Sequence, residues 1–182
     1  MIINIKSFLF IDNLCENIEK KIRRFKNLSI IYNSVNDELV NHDHVKNLID
    51  YCKKNKIKFY FKNSINLATK YKAEGIFITT SYRRPFKNLN NKNIRIIGSA
   101  HNQKEYFLKI NQGCNLIMLS PLFFNKKYSK YKILEINRFN LISRNWNCEI
   151  CALGGVLKEN LKKISMTKSK SVGFIRLFNE LK

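Results

Sequence analysis

Short apolar runs alternate with polar or amphipathic segments along this chain, and that alternation limits the folds open to it. Eight runs have the length and composition of buried strands, at residues 7–11, 28–32, 57–61, 75–79, 94–98, 116–120, 149–152 and 171–175. Helical spacing or a helix start signal appears at residues 14–25, 37–55, 65–71, 103–111, 137–144 and 159–166, and a last helix is expected after residue 175. About eight strand and helix units predict a (β/α)₈ barrel, whereas an open doubly wound sheet needs only about five strands.

The size of the chain is consistent with one domain covering residues 1–182. Its 182 residues, 45% of them hydrophobic, can bury one sizeable core, and two domains would each be small. Barrels of this kind typically have about 250 residues, so the helices and connections must be short. No run of about 18 apolar residues is present, and residues 1–10 lack the order of a secretory signal. We therefore expect a cytoplasmic protein with no membrane partner.

The formal net charge of +21 has two possible explanations. A basic surface can bind nucleic acid or another polyanion. Lysine and asparagine are instead abundant in nearly every segment, as an AT-rich genome would produce through its codons without selecting a partner. We favour this second reading and regard nucleic acid as an unlikely partner. A basic surface still favours small phosphorylated substrates, and a homo-oligomer is possible.

The sequence predicts structural roles for the five cysteines and for two of the three histidines. Cys148 and Cys151 are spaced as C-x-x-C, but in a strand their thiols point to opposite faces, and no second pair accompanies them. We expect them to be small buried residues and not metal ligands. His42 and His44 lie in a polar stretch near a helix start, where surface positions are expected.

Glycine is scarce and lies mostly near predicted strand ends. Four of the six glycines are Gly98, Gly154, Gly155 and Gly173. A glycine pair after a seventh barrel strand can turn backbone N–H groups toward an anion, and a following helix adds the positive end of its dipole. Phosphate commonly binds at this place in such barrels. A plain tight turn is the alternative for Gly154 and Gly155, and we favour phosphate binding.

Polar residues after the fifth and sixth strands are further candidates. Ser99 can offer its hydroxyl to an anion or a ring nitrogen, and His101 follows it. The alternative makes Asn102 a helix N-cap and His101 a packed residue. Three lysines of the loop after the sixth strand could each close over a leaving diphosphate or simply be solvated: Lys126, Lys127 and Lys130.

Four motifs in order resemble thiamine phosphate synthase and its thiazole-tautomerase relatives. They are I-G-S-A-H-N at residues 97–102, G-C-N-L-I-M-L-S-P-L-F at 113–123, L-G-G-V-x-x-E-N at 153–160 and S-V-G-F at 171–174. The resemblance is clearest over residues 62–174 and implies a TIM barrel. It implies transfer of a hydroxymethylpyrimidine group from its pyrophosphate to a thiazole phosphate, which gives thiamine phosphate and pyrophosphate.

The resemblance also implies roles for particular residues. Ser99 and Lys127 are the expected catalytic residues, with Ser99 contacting the pyrimidine pyrophosphate and Gly155 binding the thiazole phosphate. The loop after the eighth strand departs from the family, where it is usually small and contains serine, but its Arg176 can bind phosphate through two hydrogen bonds from the guanidinium. The full set of expected substrate-binding residues is Lys62, Asn63, Ser99, His101, Asn125, Lys127, Gly154, Gly155 and Arg176.

The sequence departs from the family where Mg²⁺ is expected. The family has Asn-Asp after the third strand, where this chain has Lys62 and Asn63, and Asp after the fourth, where Tyr82 or a neighbour stands. No metal ligands can therefore be assigned, because Mg²⁺ prefers carboxylate oxygens. We hypothesise that Lys62, Arg83 or Arg84 replaces the charge of the metal.

Two further departures bear on the reaction. Residues 32–35 replace the Gln-Leu-Arg-Glu-Lys type of segment after the second strand. Pro121 stands where the tautomerases have histidine, which disfavours isomerase chemistry. A transferase is the leading reading. The alternatives are a catalytically silent phosphate- or pyrimidine-binding relative and a basic polyanion-binding protein.

Overall fold

Eight parallel strands close into a barrel in the order in which they occur along the chain. The structure is a computed structural model that describes residues 4–12, 19–20, 22–33, 41–85, 94–124, 129 and 132–174. The strands are β1 (Lys6–Ile11), β2 (Leu28–Tyr32), β3 (Lys58–Lys62), β4 (Gly75–Ile78), β5 (Arg95–Ala100), β6 (Leu116–Leu119), β7 (Glu149–Leu153) and β8 (Ser171–Phe174). The predicted (β/α)₈ barrel is confirmed.

The predicted strand positions hold to within two residues. β3 and β5 both extend past their predicted ends, so Lys62 and Ser99 belong to the strands and do not follow them. Lys62 pairs with Phe77 of β4, and Ser99 pairs with Met118 of β6. Backbone ladder bonds continue regardless of side-chain polarity, so a strand can extend past the last residue of its apolar pattern.

Alternation along the strands builds two apolar layers. Side chains that point into the barrel form one cluster of Phe8, Ile31, Tyr60, Phe77, Ile97, Leu116, Met118, Cys151 and Leu153. The intervening side chains pack outward against the helices in a larger cluster that includes Leu9, Ile30, Phe61, Ile76 and Val172. The barrel interior is therefore a packed core in its lower and middle parts, as is usual for this architecture.

The helices are short, as predicted. They are α1 (His42–Lys54), α2 (Ile65–Lys70), α3 (Gln103–Asn111), α4 (Glu135–Ile142) and a 3₁₀ helix (Leu161–Met166). Asn41 caps α1, with its side chain accepting a hydrogen bond from the His44 N–H, and the predicted start of this helix at residue 37 lies outside the described residues. The last helix is 3₁₀ in type, and the side chain of Asn160, which precedes it, makes no cap bond to it. The helices predicted at 14–25 and after 175 lie partly or wholly outside the described residues.

Residues 79–85, which follow β4, carry no helix and are tied to the side of α3. The buried Lys109 Nζ donates to the Tyr82 carbonyl at 2.8 Å and to Gln112 Oε1 at 3.0 Å. Gln112 Nε2 donates to the carbonyls of Tyr82 and Arg84 at 3.2 and 3.0 Å. We call these two side chains the α3 clamp. They belong to the last turn and carboxyl-terminal end of α3, so they hold this segment against the outside of the barrel.

The structure places Cys151 and His42 as predicted, whereas Cys148 and His44 are half-buried, and Cys15 lies outside the described residues. Cys151 lies inside the barrel, and Cys148 packs on the outer side, so their thiols face different layers. The four cysteines in the described part of the chain are free. His42 is exposed at the start of α1, where its Nδ1 lies 2.6 Å from the Tyr71 hydroxyl. Among the described helices, none is long and apolar enough to cross a membrane.

Candidate functional site

The carboxyl ends of the strands form the mouth of the barrel, where polar side chains succeed the apolar interior. In five neighbouring strands the interior residues Ile31, Tyr60, Phe77, Ile97 and Met118 are each followed two positions later by a polar residue. Side chains two apart in a strand face the same side, so Lys62 and Ser99, which lie within β3 and β5, point inward, and Asn33, Thr79 and Ser120 stand at the first position after their strands. We call them the mouth residues: Asn33, Lys62, Thr79, Ser99 and Ser120.

Lys62 and Asn63 have different surroundings although they are adjacent. The half-buried Lys62 Nζ donates to Asn33 Oδ1 at 2.7 Å, which fixes the ammonium between β2 and β3. Asn63 has a φ of 55° and uses its amide to tie β3 to β4. Its Oδ1 accepts from the Thr79 N–H at 2.9 Å, and its Nδ2 donates to Thr79 Oγ1 at 3.1 Å. Asn63 thus serves the shape of the mouth, and Lys62 supplies its charge.

Two aromatic rings lie beneath these polar groups. Phe10 and Phe77 meet edge to face, with their ring centroids 5.1 Å apart. Phe10 is only half-buried, whereas Phe77 is buried. An aromatic floor below a cationic and hydroxyl-bearing rim can accept a flat heterocycle that carries phosphate.

Ser99, His101 and Ser120 lie together between β5 and β6. Ser99 is buried, with 7% of its surface exposed. His101 Nδ1 lies 2.7 Å from the Ser120 carbonyl oxygen, and because a carbonyl can only accept, Nδ1 carries the proton. The Ser120 hydroxyl is 3.2 Å from the same nitrogen, and the Ser120–Pro121 peptide is cis.

Asn102 is the N-cap of α3. Its Oδ1 accepts from the Glu105 N–H at 3.0 Å, while Glu105 Oε2 accepts from the His101 N–H at 2.6 Å. These reciprocal bonds resemble a capping box and hold the backbone at His101. The prediction that Asn102 is a helix N-cap is therefore confirmed. The His101 ring is oriented by its hydrogen bond to the Ser120 carbonyl.

Gly154 and Gly155 follow β7 with φ values of 89° and 69°. The turn is closely packed, because a Cβ built on Gly155 would lie 2.3 Å from the Phe123 carbonyl oxygen. The Phe123 N–H also donates to the Gly154 carbonyl at 3.0 Å. Glycine is required here by both the positive φ and the close approach of the loop after β6.

Asn160 shapes the turn that follows the glycine pair. Its Nδ2 donates to the Gly155 carbonyl at 2.8 Å, and its Oδ1 accepts from the Leu157 N–H at 2.9 Å. In the part of the chain that the structure describes, the N–H groups of Gly155 and Val156 donate to no protein acceptor. Adjacent backbone donors of this kind suit a phosphate oxygen.

The structure brings some expected site residues together and leaves others undescribed. Lys62, Asn63, Ser99, His101, Gly154 and Gly155 all lie at or next to the carboxyl ends of their strands. Asn125, Lys127 and Arg176 lie outside the described residues, as do Lys126 and Lys130. Arg83 and Arg84 belong to the segment held by the α3 clamp, and both are exposed.

Sequence reasoning missed three mouth residues, Asn33, Thr79 and Ser120. A usable signal was present, because each stands two positions after a buried interior residue, in the same alternation that defines its strand. The apolar pattern marks where the core ends. The next residue on the same face is therefore the first one able to meet a ligand.

The described mouth does not fit a Mg²⁺ ion. The five mouth residues offer one ammonium, one amide oxygen and hydroxyls, and the same alternation on β1 adds only the exposed Asp12, two positions after Phe10. Over the described residues, no group of three or more histidine, cysteine or acidic side chains could hold a metal ion. Mg²⁺ usually binds through one or two carboxylates with substrate phosphates, so a central ammonium is an unfavourable neighbour for it.

Comparison with known proteins gives the same family by sequence and a related fold by structure. The profile of the thiamine monophosphate synthase family matches residues 11–178. A thiamine-phosphate synthase from Prochlorococcus marinus is 29% identical over 134 residues, which are 71% of this chain and 38% of that protein. A second one, from another strain, is 26% identical over 165 residues, which are 84% of this chain and 44% of that protein.

This chain therefore spans less than half the length of these two relatives. Among solved structures, the thiamine phosphate pyrophosphorylase of Pyrococcus furiosus superposes with a TM-score of 0.73. The superposition covers 94% of this chain and 86% of that one, at 12% identity, which supports the fold alone. The match over residues 11–178 establishes that this chain belongs to the thiamine monophosphate synthase family.

Proposed function

We propose that this chain joins a hydroxymethylpyrimidine pyrophosphate to a thiazole phosphate to form thiamine phosphate. The observation that carries the proposal is the family match over residues 11–178. It is supported by a barrel mouth with an ammonium, several hydroxyls and an aromatic floor, close to a glycine turn with available backbone donors. These features suit an aromatic ring and two phosphorylated groups.

The reaction requires little covalent chemistry from the protein. The bond between the exocyclic pyrimidine carbon and the diphosphate oxygen breaks, and the diphosphate leaves with the electron pair. The thiazole nitrogen then donates its lone pair to that carbon, which leaves the positive charge on the thiazolium ring. Positioning the two rings and stabilising the leaving diphosphate therefore supply most of the catalysis.

We assign the residues to roles on this basis. Ser99 contacts the pyrimidine pyrophosphate, and Lys62 neutralises its charge, with Asn63 and His101 maintaining the shape of the mouth around it. The N–H groups of Gly155 and Val156, in the turn that begins at Gly154, bind the thiazole phosphate. Lys127 stabilises the leaving diphosphate with Asn125, and Arg176 grips phosphate from the loop after β8.

The family generally depends on Mg²⁺, but the donor set of the five mouth residues is neutral or cationic. We therefore propose no catalytic step that passes through a metal. We further propose that residues 1–182 form one domain that acts on small phosphorylated substrates in the cytoplasm.

The proposal is tested by incubating the purified chain with both phosphorylated precursors, with Mg²⁺ and with EDTA. Thiamine phosphate is then measured by oxidation to its fluorescent thiochrome derivative. Product above a heat-inactivated control in either condition supports the transferase. A lack of product in both conditions rejects it.

A second candidate is a relative that binds the precursors without reacting them, and the absence of a carboxylate from the mouth residues favours it. Thermal shift with each precursor separates the two functions. Ligand at about 100 times its dissociation constant stabilises a protein by about 2.7 kcal/mol. Stabilisation by one precursor without any product would favour the silent binder.

A further inference from the structure

The ammonium of Lys62 is the only formal charge among the mouth residues. It stands at the end of β3 on the same face as Tyr60, which is buried inside the barrel with 2% of its surface exposed. Lys62 therefore projects over the closed interior and not into bulk solvent. A charge in such a partly desolvated place interacts more strongly with an anion than a surface lysine does.

The hydrogen bonding of Lys62 leaves it able to bind a ligand. An ammonium has three donors, and Asn33 Oδ1 accepts one of them at 2.7 Å. Over the described residues, the two side-chain ion pairs join Lys6 to Glu149 and Lys58 to Glu74, so neither involves Lys62. A neutral amide orients this ammonium without cancelling its charge.

Carboxylates near the described mouth do not compete for this role. Glu105 is engaged at the start of α3, where its Oε2 accepts from the His101 N–H. Asp12 follows β1 and is exposed. It is a single carboxylate, and the Lys62 ammonium in the same mouth disfavours a divalent cation beside it.

Arg83 and Arg84 are poorly placed to act in place of Lys62. The carbonyls of Tyr82 and Arg84 accept from the α3 clamp, which belongs to the carboxyl-terminal part of α3. Helices of a (β/α)₈ barrel run antiparallel to the strands, so the end of α3 lies away from the mouth. Of the three cationic residues considered, Lys62 alone stands at the strand ends.

We infer that the mouth binds a diphosphate group directly through the Lys62 ammonium, held by Asn33, and needs no divalent cation to do so. The inference rests on the proposed function only for the identity of the diphosphate-bearing substrate. The inference also predicts the direction in which Mg²⁺ changes the affinity of the mouth for diphosphate. Mg²⁺ reduces the negative charge of free diphosphate, so added Mg²⁺ should weaken binding to an ammonium site and not strengthen it.

The test uses inorganic pyrophosphate as the probe and isothermal titration calorimetry as the measurement. The unmodified chain is titrated in EDTA and again with excess MgCl₂ at equal ionic strength. We expect binding in EDTA and equal or weaker binding with Mg²⁺. Binding that appears only with Mg²⁺, or tightens with it by tenfold or more, would overturn the inference, and this comparison needs no variant.

Variants then assign the binding to Lys62. In EDTA, Lys62→Gln should lower pyrophosphate affinity by about tenfold or more, and Lys62→Arg should retain most of it. Lys46→Gln removes one charge from an exposed position on α1 and serves as the matched control. Equal losses in Lys62→Gln and Lys46→Gln would show general electrostatics only and would refute a specific site. Circular dichroism melts establish that each variant is folded.

The inference and the proposed function can fail separately. Product formation that requires Mg²⁺, together with pyrophosphate binding that requires Mg²⁺, leaves the transferase intact and removes the inference. Pyrophosphate binding in EDTA that depends on Lys62, without product in any condition, leaves the inference intact and removes the transferase.

Discussion

The Lys109 ammonium is buried and donates to the carbonyl oxygen of Tyr82 at 2.8 Å, joining α3 to the segment after β4. The pKa of Lys109 is lowered, with desolvation by burial as the largest cause. Burying a cation costs free energy unless polar groups surround it, and here two oxygens accept hydrogen bonds from the ammonium. The α3 clamp therefore anchors residues 82–84 by backbone contacts that do not depend on their side chains.

Replacing Lys109 with methionine should destabilise the fold by about 1–3 kcal/mol, because the Tyr82 carbonyl loses its shorter hydrogen bond. Urea denaturation measures the change. Lys104→Met, at an exposed position on the same helix, should stay within about 0.5 kcal/mol. Equal stability of Lys109→Met and the unmodified chain would show that the desolvation cost cancels the contribution of the clamp.

Alkaline pH should destabilise the protein through its buried thiols. Burial raises the pKa of Cys151 from 9.0 to about 12. The unfolded thiol ionises first, so the stabilisation is complete below pH 9 and is lost as the pH rises toward 12, by about 1.4 kcal/mol per pH unit. Lys109 has the opposite sign, because its pKa is lowered and the native state gains stability as the pH rises toward 10.5.

Comparing the unmodified chain with Cys151→Ala isolates the contribution of the Cys151 thiol to the pH dependence of stability, since Lys109 is present in both proteins. The free energy of unfolding of the unmodified chain should fall more steeply between pH 8.5 and about 10.5 than that of the variant. The absolute stability of the variant is not the readout, because the substitution also leaves a cavity. Parallel pH profiles would contradict the assignment to Cys151.

A side chain at Gly155 should strain the backbone and meet the loop after β6. Gly155→Ala combines a φ of 69° with a Cβ only 2.3 Å from the Phe123 carbonyl oxygen. Gly113→Ala is the matched control, because it has a φ of 83° and its Cβ would meet only Ile96 Cδ1, at 3.7 Å. We expect a loss of about 1 kcal/mol for Gly113→Ala and at least about 3 kcal/mol for Gly155→Ala.

Chemical denaturation of both variants gives the comparison, and similar losses would mean that the loop after β6 moves aside at little cost. The same geometry means that Gly155→Asp is a poor probe of phosphate binding, because it would perturb folding and ligand together.

Asn160 offers a cleaner probe of the glycine turn. Asn160→Ala removes the bonds to the Gly155 carbonyl and the Leu157 N–H and should weaken thiazole phosphate binding several-fold by loosening the turn. Asn140→Ala is the control, since Asn140 likewise bridges two backbone groups, at Met166 and Lys168, but away from the turn. Calorimetric titration measures binding, and equal affinities of the two variants would argue against a phosphate site at this turn.

Sequence reasoning located the strands well because burial leaves a direct mark on them. Strands enclosed on both faces are continuously apolar, and all eight predicted runs correspond to strands. The same reasoning ended β3 one residue and β5 two residues too early, because Lys62 and Ser99 are polar. It named Lys62 and Asn63 as one pair of binding residues, although the Asn63 amide is held by Thr79 and only Lys62 carries charge over the mouth.

The sequence by itself determined the order of strands, the barrel class, the glycine turn after β7 and the family, because apolar periodicity and motif order are properties of the chain. Only the tertiary structure decided which polar residues at the mouth bond to one another, that Lys109 is buried, and that the loop after β6 packs on Gly155. The physical reason is that these relationships join residues far apart in the chain, 29 positions for Asn33 and Lys62 and 27 for Tyr82 and Lys109, and strand register and close packing, which no local pattern records, bring them together.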